Sequence, residues 1–133
     1  MIIVLSTYPD KESAEKTALL LVEKELAACV SIVKIEESFY RWRGKVERHG
    51  EYLLLIKSTK KAYPQIEAYI THKHPHKVPE VVYIEVSGGA KNYLEWLEAN
   101  TLSKLLRVPL DFSAMKRVSE PSSSAKNPRT SSR

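Results

Sequence analysis

Cysteine is nearly missing from this 133-residue chain: Cys29 stands alone, so no internal disulfide braces the fold and a reducing surrounding is expected. Flanked by Ala27, Ala28 and Val30, it reads as a small core side chain, with a reactive thiol as the alternative. Long apolar runs are missing too. The longest, Ile2–Leu5 and Leu53–Ile56, fall far short of the roughly 20 residues that cross a bilayer, which excludes a membrane-spanning helix. The basic stretch and apolar segment of a secretory signal do not follow Met1, so a cytoplasmic address is expected. Glycine is scarce. Gly44, Gly50, Gly88 and Gly89 form neither a phosphate loop nor a dinucleotide fingerprint, and no G-x-S-x-G is present. With no activated nucleophile or acid–base pair in view, the sequence points to a binding protein and not to an enzyme.

Most of the chain also lacks an excess of charge of one sign. The net charge of +5 sits largely after residue 112, where Lys116, Arg117, Lys126, Arg129 and Arg133 face a single acid, Glu120. Residues 1–112 hold 16 basic and 15 acidic groups, interspersed, which argues against nucleic acid as a partner. They suit one domain with its own core. The 113–133 tail, rich in serine, proline and basic residues, has almost nothing to bury and is expected to be disordered in solution. A basic arm touching membrane or nucleic acid is its alternative reading.

What is present is a regular alternation of strand-like and helical patterns. Residues 1–8 read as a strand closed by Pro9, and Asp10 is placed to cap a helix whose apolar face carries Ala14, Ala18, Leu21 and Val22. Cys29–Trp42 is a long β segment whose apolar phase slips near the middle, the mark of a bulge. Arg43-Gly44-Lys45 turns it back into a strand over Val46–Ser58. A second helix is expected over Thr59–Lys73, ended by His74-Pro75, then a strand over Glu80–Val86 and a third helix around Tyr93, Leu94 and Leu97. The order βαββαβα gives an α+β, ferredoxin-like sandwich with a long β2-β3 hairpin and a C-terminal helix. Leu102, Leu105, Leu106 and Val108 either extend that helix or form a short arm on the sheet.

In such a sandwich the helices cover one face of the sheet, so the strands of a lone subunit should alternate apolar and polar residues. Here Ile2–Leu5, Leu53–Ile56 and Val81–Ile84 are continuously apolar, as in strands buried on both faces. Nothing else in so short a chain is large enough to cover the second face, so copies of the chain are the expected cover. Some ~500 Å² of apolar area left wet would forgo about 12 kcal/mol before the cost of association.

Several segments, in order, resemble the CutA divalent-cation tolerance family. They are Thr7-Tyr8-Pro9-Asp10, Leu26-Ala27-Ala28-Cys29-Val30, Ser38–Lys45, Leu55-Ile56-Lys57-Ser58, His74–Glu80 and Tyr93–Leu97, and together they span about residues 1–100. The resemblance implies a homotrimer of ferredoxin-like subunits, PII-like in architecture, linked to tolerance of copper and other divalent ions. It also implies paired hairpins and clefts between subunits, lined at the matching positions Tyr40, Trp42, Lys57, His74, Glu80 and Trp96. Each of these has a structural reading beside the functional one. Tyr40 and Trp42 at alternate strand positions also suit an interface core, and Lys57 with Glu80 also suits an ion pair.

Divalent copper favours imidazole nitrogen, which directs attention to His72, His74 and His76. Their spacing matches no defined metal motif, and Pro75 separates the last two. Where metal-linked relatives have a strand-one cysteine and a histidine pair before the proline, this chain has Ser6 and Lys73-His74. A PII-like trimer that binds an anionic small molecule through Lys57 or Arg41 is the second reading. RNA binding is the third, weakened by a central strand, Glu51–Ile56, without an RNA-recognition signature.

Overall fold

The computed structural model describes residues 1–102; the expectations for Ser103 onward, including the 113–133 tail, lie outside the described residues. Seven elements follow in chain order: β1 (Ile2–Tyr8), α1 (Lys11–Glu23), β2 (Cys29–Trp42), β3 (Lys45–Ser58), α2 (Tyr63–Lys73), β4 (Val82–Glu85) and α3 (Lys91–Ala99). The four strands form one sheet in the order β2-β3-β1-β4, with every neighbouring pair antiparallel. This is the ferredoxin-like arrangement.

Local chemistry sets the element ends. Asp10 caps α1 by accepting the Ser13 amide at 2.9 Å and the Ser13 hydroxyl at 2.7 Å. At the other end Glu25 turns left-handed (φ 59°), so its amide donates to Val22 O and that of Leu26 to Leu21 O. That bond pair is a Schellman closure, and it drives Leu26 into the core. Arg43 (φ 51°) and Gly44 (φ 80°) form the two-residue hairpin turn. The phase slip in β2 is a register shift between Ile35 and Ser38.

The core lies between the sheet and the helices, built from Ile2, Val4, Tyr8, Leu54 and Ile56 on the strands and Ala14, Leu21, Ile66 and Ile70 on α1 and α2. Helix α1 is rotated from its expected face: Ser13, Ala14, Thr17 and Leu21 are buried, whereas Val22 is exposed. Helix α2 starts at Tyr63, four residues later than the sequence suggests, because a turn from Thr59 precedes it, with the Thr59 hydroxyl accepting the Ala62 amide. Strand β4 is shorter than expected since it pairs only with Ile2–Leu5.

The second face of the sheet is open in a single chain. Along β1 buried and half-buried residues alternate, with Ile3 and Leu5 turned to the helix-free side beside Leu53 and Leu55. Val82 and Ile84 share that side and are 49% and 56% exposed. The apolar residues expected from the continuous runs are all there, but of them one copy fully buries only Ile2, Val4, Leu54 and Ile56.

Candidate functional site

Because Pro75 follows it, His74 leaves the helix in an extended conformation (φ −66°, ψ 145°), and its ring turns inward to full burial. Its Nε2 lies 2.7 Å from the Thr7 carbonyl oxygen, which only accepts, so Nε2 carries the proton. Its Nδ1 accepts the His76 amide at 2.8 Å, and the ring packs on Tyr8 at a centroid distance of 4.1 Å. Both ring nitrogens are thus occupied, and neither presents a lone pair outward. His76 is also buried, its ring 4.8 Å from that of His74, whereas His72 faces solvent on α2. The three imidazoles therefore do not gather within one chain, and in it His74 pins the 74–81 loop to β1.

Lys57 lies on the helix-free face opposite Ile3 on one side and Cys29 on the other. Within one chain its Nζ donates to Ser31 Oγ at 3.1 Å and stands 3.9 Å from Cys29 Sγ. Cys29 is correspondingly half-exposed on the sheet and not a core residue. Glu80 stands exposed in the loop before β4.

The hairpin outgrows the rest of the sheet, since β1 stops opposite Tyr52 while β2 and β3 continue to the Trp42↔Lys45 pair. Beyond the bulge its two faces differ. One carries Phe39 and Val46, 63% and 66% exposed, with Arg48 over the Phe39 ring and paired to Glu37 at 3.4 Å. The other carries half-buried Ser38, Tyr40, Trp42, Glu47 and His49. Tyr40 and His49 rings sit 5.9 Å apart, and His49 Nε2 is 3.8 Å from a Glu47 carboxylate oxygen. His49 and Glu47 escaped the sequence reading, although the register that sets them beside Ser38 and Tyr40 follows from counting back from the Arg43-Gly44 turn.

One chain does not bring the expected cleft residues together. Tyr40 pairs with Glu47 and Lys57 lies ten residues further along β3, about 33 Å away in a strand. Trp96 is on α3, 45% exposed and packed on Tyr93 at 5.7 Å. Among the described residues no three His, Cys, Asp or Glu side chains cluster closely enough to hold a metal ion. A single copy thus does not fit a resident metal, and any cleft built from these positions draws on more than one chain.

Residues 2–100 match the model of the CutA1 divalent ion tolerance protein family. The divalent-cation tolerance protein CutA of Thermus thermophilus is 44% identical over 99 residues, covering 74% of this chain and 96% of that protein. The chloroplastic CutA protein of Arabidopsis thaliana is 40% identical over 100 residues; this chain is matched over 75% of its length but spans only 55% of that relative. The solved structure of the Thermus thermophilus protein superposes with a TM-score of 0.73, covering 76% of this chain and 99% of that one. Sequence, sheet order and hairpin agree with one another: the chain belongs to the CutA divalent-cation tolerance family, and its function is metal tolerance.

Proposed function

We propose that the chain acts in metal tolerance as a homotrimeric binding protein, not an enzyme, and that divalent cations, copper among them, bind in clefts between its subunits. One observation carries the reading: an apolar sheet face and a half-buried aromatic hairpin face are both left without cover in one copy. Seating the hairpin of one subunit against the helix-free face of the next would cover both. It would also carry Tyr40, Trp42, Glu47 and His49 toward residues such as Lys57, Glu80 and Trp96 of another copy.

For the cation, an imidazole nitrogen not already engaged in a hydrogen bond is the appropriate donor, which favours His72 on the surface and His49, whose buried Nε2 makes no hydrogen bond among the described residues, over the pinned His74. Light scattering at micromolar concentration tests the assembly, with a mass three times 15.2 kDa expected both with Cu²⁺ and with a chelator. Titration calorimetry tests the site. Saturable Cu²⁺ heat that shrinks in His49→Ala or His72→Ala supports the reading, and Cu²⁺ heat unchanged in both variants removes these ligands. Saturable heat with a nucleotide but none with metal would favour the PII-like alternative.

A further inference from the structure

Arginine is confined to one place among the described residues. Arg41, Arg43 and Arg48 all lie in the distal hairpin, with Lys45 beside them and only Glu47 as a counter-charge between residues 38 and 49. Residues 1–102 carry 14 basic and 14 acidic groups, so the positive excess of the hairpin is matched by a negative excess over the rest of the body. The arm is the basic pole of a neutral molecule.

Two of these arginines share a face with two exposed apolar side chains. Phe39 pairs with Arg48 and Arg41 with Val46, so the four form a square that is apolar on one diagonal and cationic on the other, with about 7–8 Å between Cα atoms across each diagonal. Arg48 lies over the Phe39 ring and is paired to Glu37, whereas Arg41 is exposed and makes no ion pair or side-chain hydrogen bond among the described residues. The direction in which the square looks follows from strand parity. The bulge sets Glu36 and Glu37 of β2 against Gly50 alone, so β3 alternates without a break, and Val46 and Arg48 look to the side on which Leu54 and Ile56 meet the helices. Yet β1 ends opposite Tyr52, and Phe39 and Val46 remain uncovered beyond it. The square is therefore a ledge, set back from the outer helix surface by about one helix diameter, ~10 Å. Copies seated on the helix-free face would leave it open.

That position selects the partner. A flat anionic membrane would rest on the helices and miss the ledge, and a nucleic-acid duplex would run on over the acidic remainder of the body. An extended polypeptide is only about 5 Å wide and turns a side chain to the same face every two residues, the spacing from Phe39 to Arg41. Carboxylates suit the forked donors of arginine, and apolar side chains suit Phe39 and Val46. We infer that the outer hairpin face of Phe39, Arg41, Val46 and Arg48 docks an extended segment of a partner protein in which carboxylates and apolar or aromatic side chains alternate along one edge.

Fluorescence anisotropy of the full chain tests this with a labelled ten-residue peptide that has serine at every second position and Glu, Phe, Glu, Leu and Glu at the others. Saturable binding is expected, weakened about tenfold by Arg41→Glu and by a similar factor by Phe39→Ser, while circular dichroism and molar mass stay those of the parent. Arg41→Lys, which keeps the charge but loses the fork, is expected to fall between parent and Arg41→Glu. The same peptide with glutamine in place of glutamate is expected not to bind. Absence of saturable binding to the acidic peptide overturns the proposal, as does binding that either Arg41→Glu or Phe39→Ser leaves unchanged. Tighter binding of the parent chain to single-stranded oligothymidylate or to phosphatidylserine vesicles overturns it in favour of those anions. A molar mass that falls in Arg41→Glu and Phe39→Ser also overturns it, because the face would then be a contact between copies.

Discussion

At the scale of single residues, the densest polar chemistry in the molecule is structural. His74 holds a proton on Nε2 and accepts on Nδ1, bridging Thr7 in β1 and His76 in the loop while its ring lies on Tyr8. Substituting alanine would orphan two buried backbone groups and open a cavity, so His74→Ala is expected to cost about 3–5 kcal/mol, measured by urea denaturation. Nitrogen NMR at neutral pH is expected to find the Nε2–H tautomer, and an Nδ1–H ring would refute the pinning. Beneath it, burial pushes the Tyr8 phenol far above its ordinary value, offset in part by the Thr17 and Ser6 hydroxyls. Burial raises Tyr69 as well, and burial with help from the Glu67 carboxylate pushes Tyr63 up to about 12. Phenols raised in the folded state favour folding fully below their unfolded value near 10 and lose that contribution as pH climbs through the folded value. Stability is therefore expected to fall above pH ~10, with a late group of tyrosinates appearing by ultraviolet absorbance together with loss of helix. A smooth titration of all seven tyrosines near their ordinary value, with the fold intact, would contradict it. These roles were barely legible in the sequence. Three nearby histidines look alike on the page, and only the extended turn before Pro75, which sends His74 inward while His72 stays on the helix surface, separates them.

Among the elements, the strands and helices were legible because their causes are local. Asp10 before an apolar-periodic run, the Arg43-Gly44 turn and the phase slip in β2 each leave a mark in the residues themselves. What escaped was set by contacts far along the chain: the roll of α1 that buries Thr17 in place of Val22, and the late start of α2. The end of α1 was also not legible, since its left-handed C-terminal residue is Glu25 and not the glycine such closures favour. That mismatch yields a stabilising substitution: Glu25→Gly removes the strain of a positive φ and is expected to add up to about 1 kcal/mol in urea melts, since the left-handed cost exceeds the added unfolded-state freedom. The opposite outcome is expected at Gly50, where an added Cβ would lie 3.1 Å from the Glu36 backbone oxygen beside the bulge. Gly50→Ala has to shift one strand of the hairpin against the other. A loss of about 1–2 kcal/mol is expected, and an unchanged melting curve would show that the bulge yields freely.

On the scale of the whole molecule, the sequence carried more information than one copy displays. Continuous apolar runs in β1, β3 and β4 announced strands covered on both sides, yet the helices cover one, and Val82 and Ile84 remain about half exposed. The family could be read from ordered motifs, but the cleft could not, because its expected residues lie on separate elements that a single chain does not bring together. This makes Ile84 a sharp probe. It sits beside Ile3 on the helix-free face and makes little of the monomer's core, so in an isolated subunit Ile84→Lys would be nearly silent and would improve solubility. If copies cover this face, the same substitution places a charge in each of the symmetry-related contacts, at a cost of several kcal/mol apiece. Light scattering is then expected to drop from three chain masses to one, with far-ultraviolet dichroism unchanged and Cu²⁺ heat lost along with the assembly. Val46→Lys, on the exposed side of the hairpin away from Tyr40, serves as the comparison and is expected to leave the mass unchanged if the Tyr40–Trp42 face is the one that seats on the neighbour. A trimer that tolerates Ile84→Lys but falls apart with Val46→Lys would show that the hairpin docks by its Phe39 side, and the cleft would have to be rebuilt around Arg41 and Arg48.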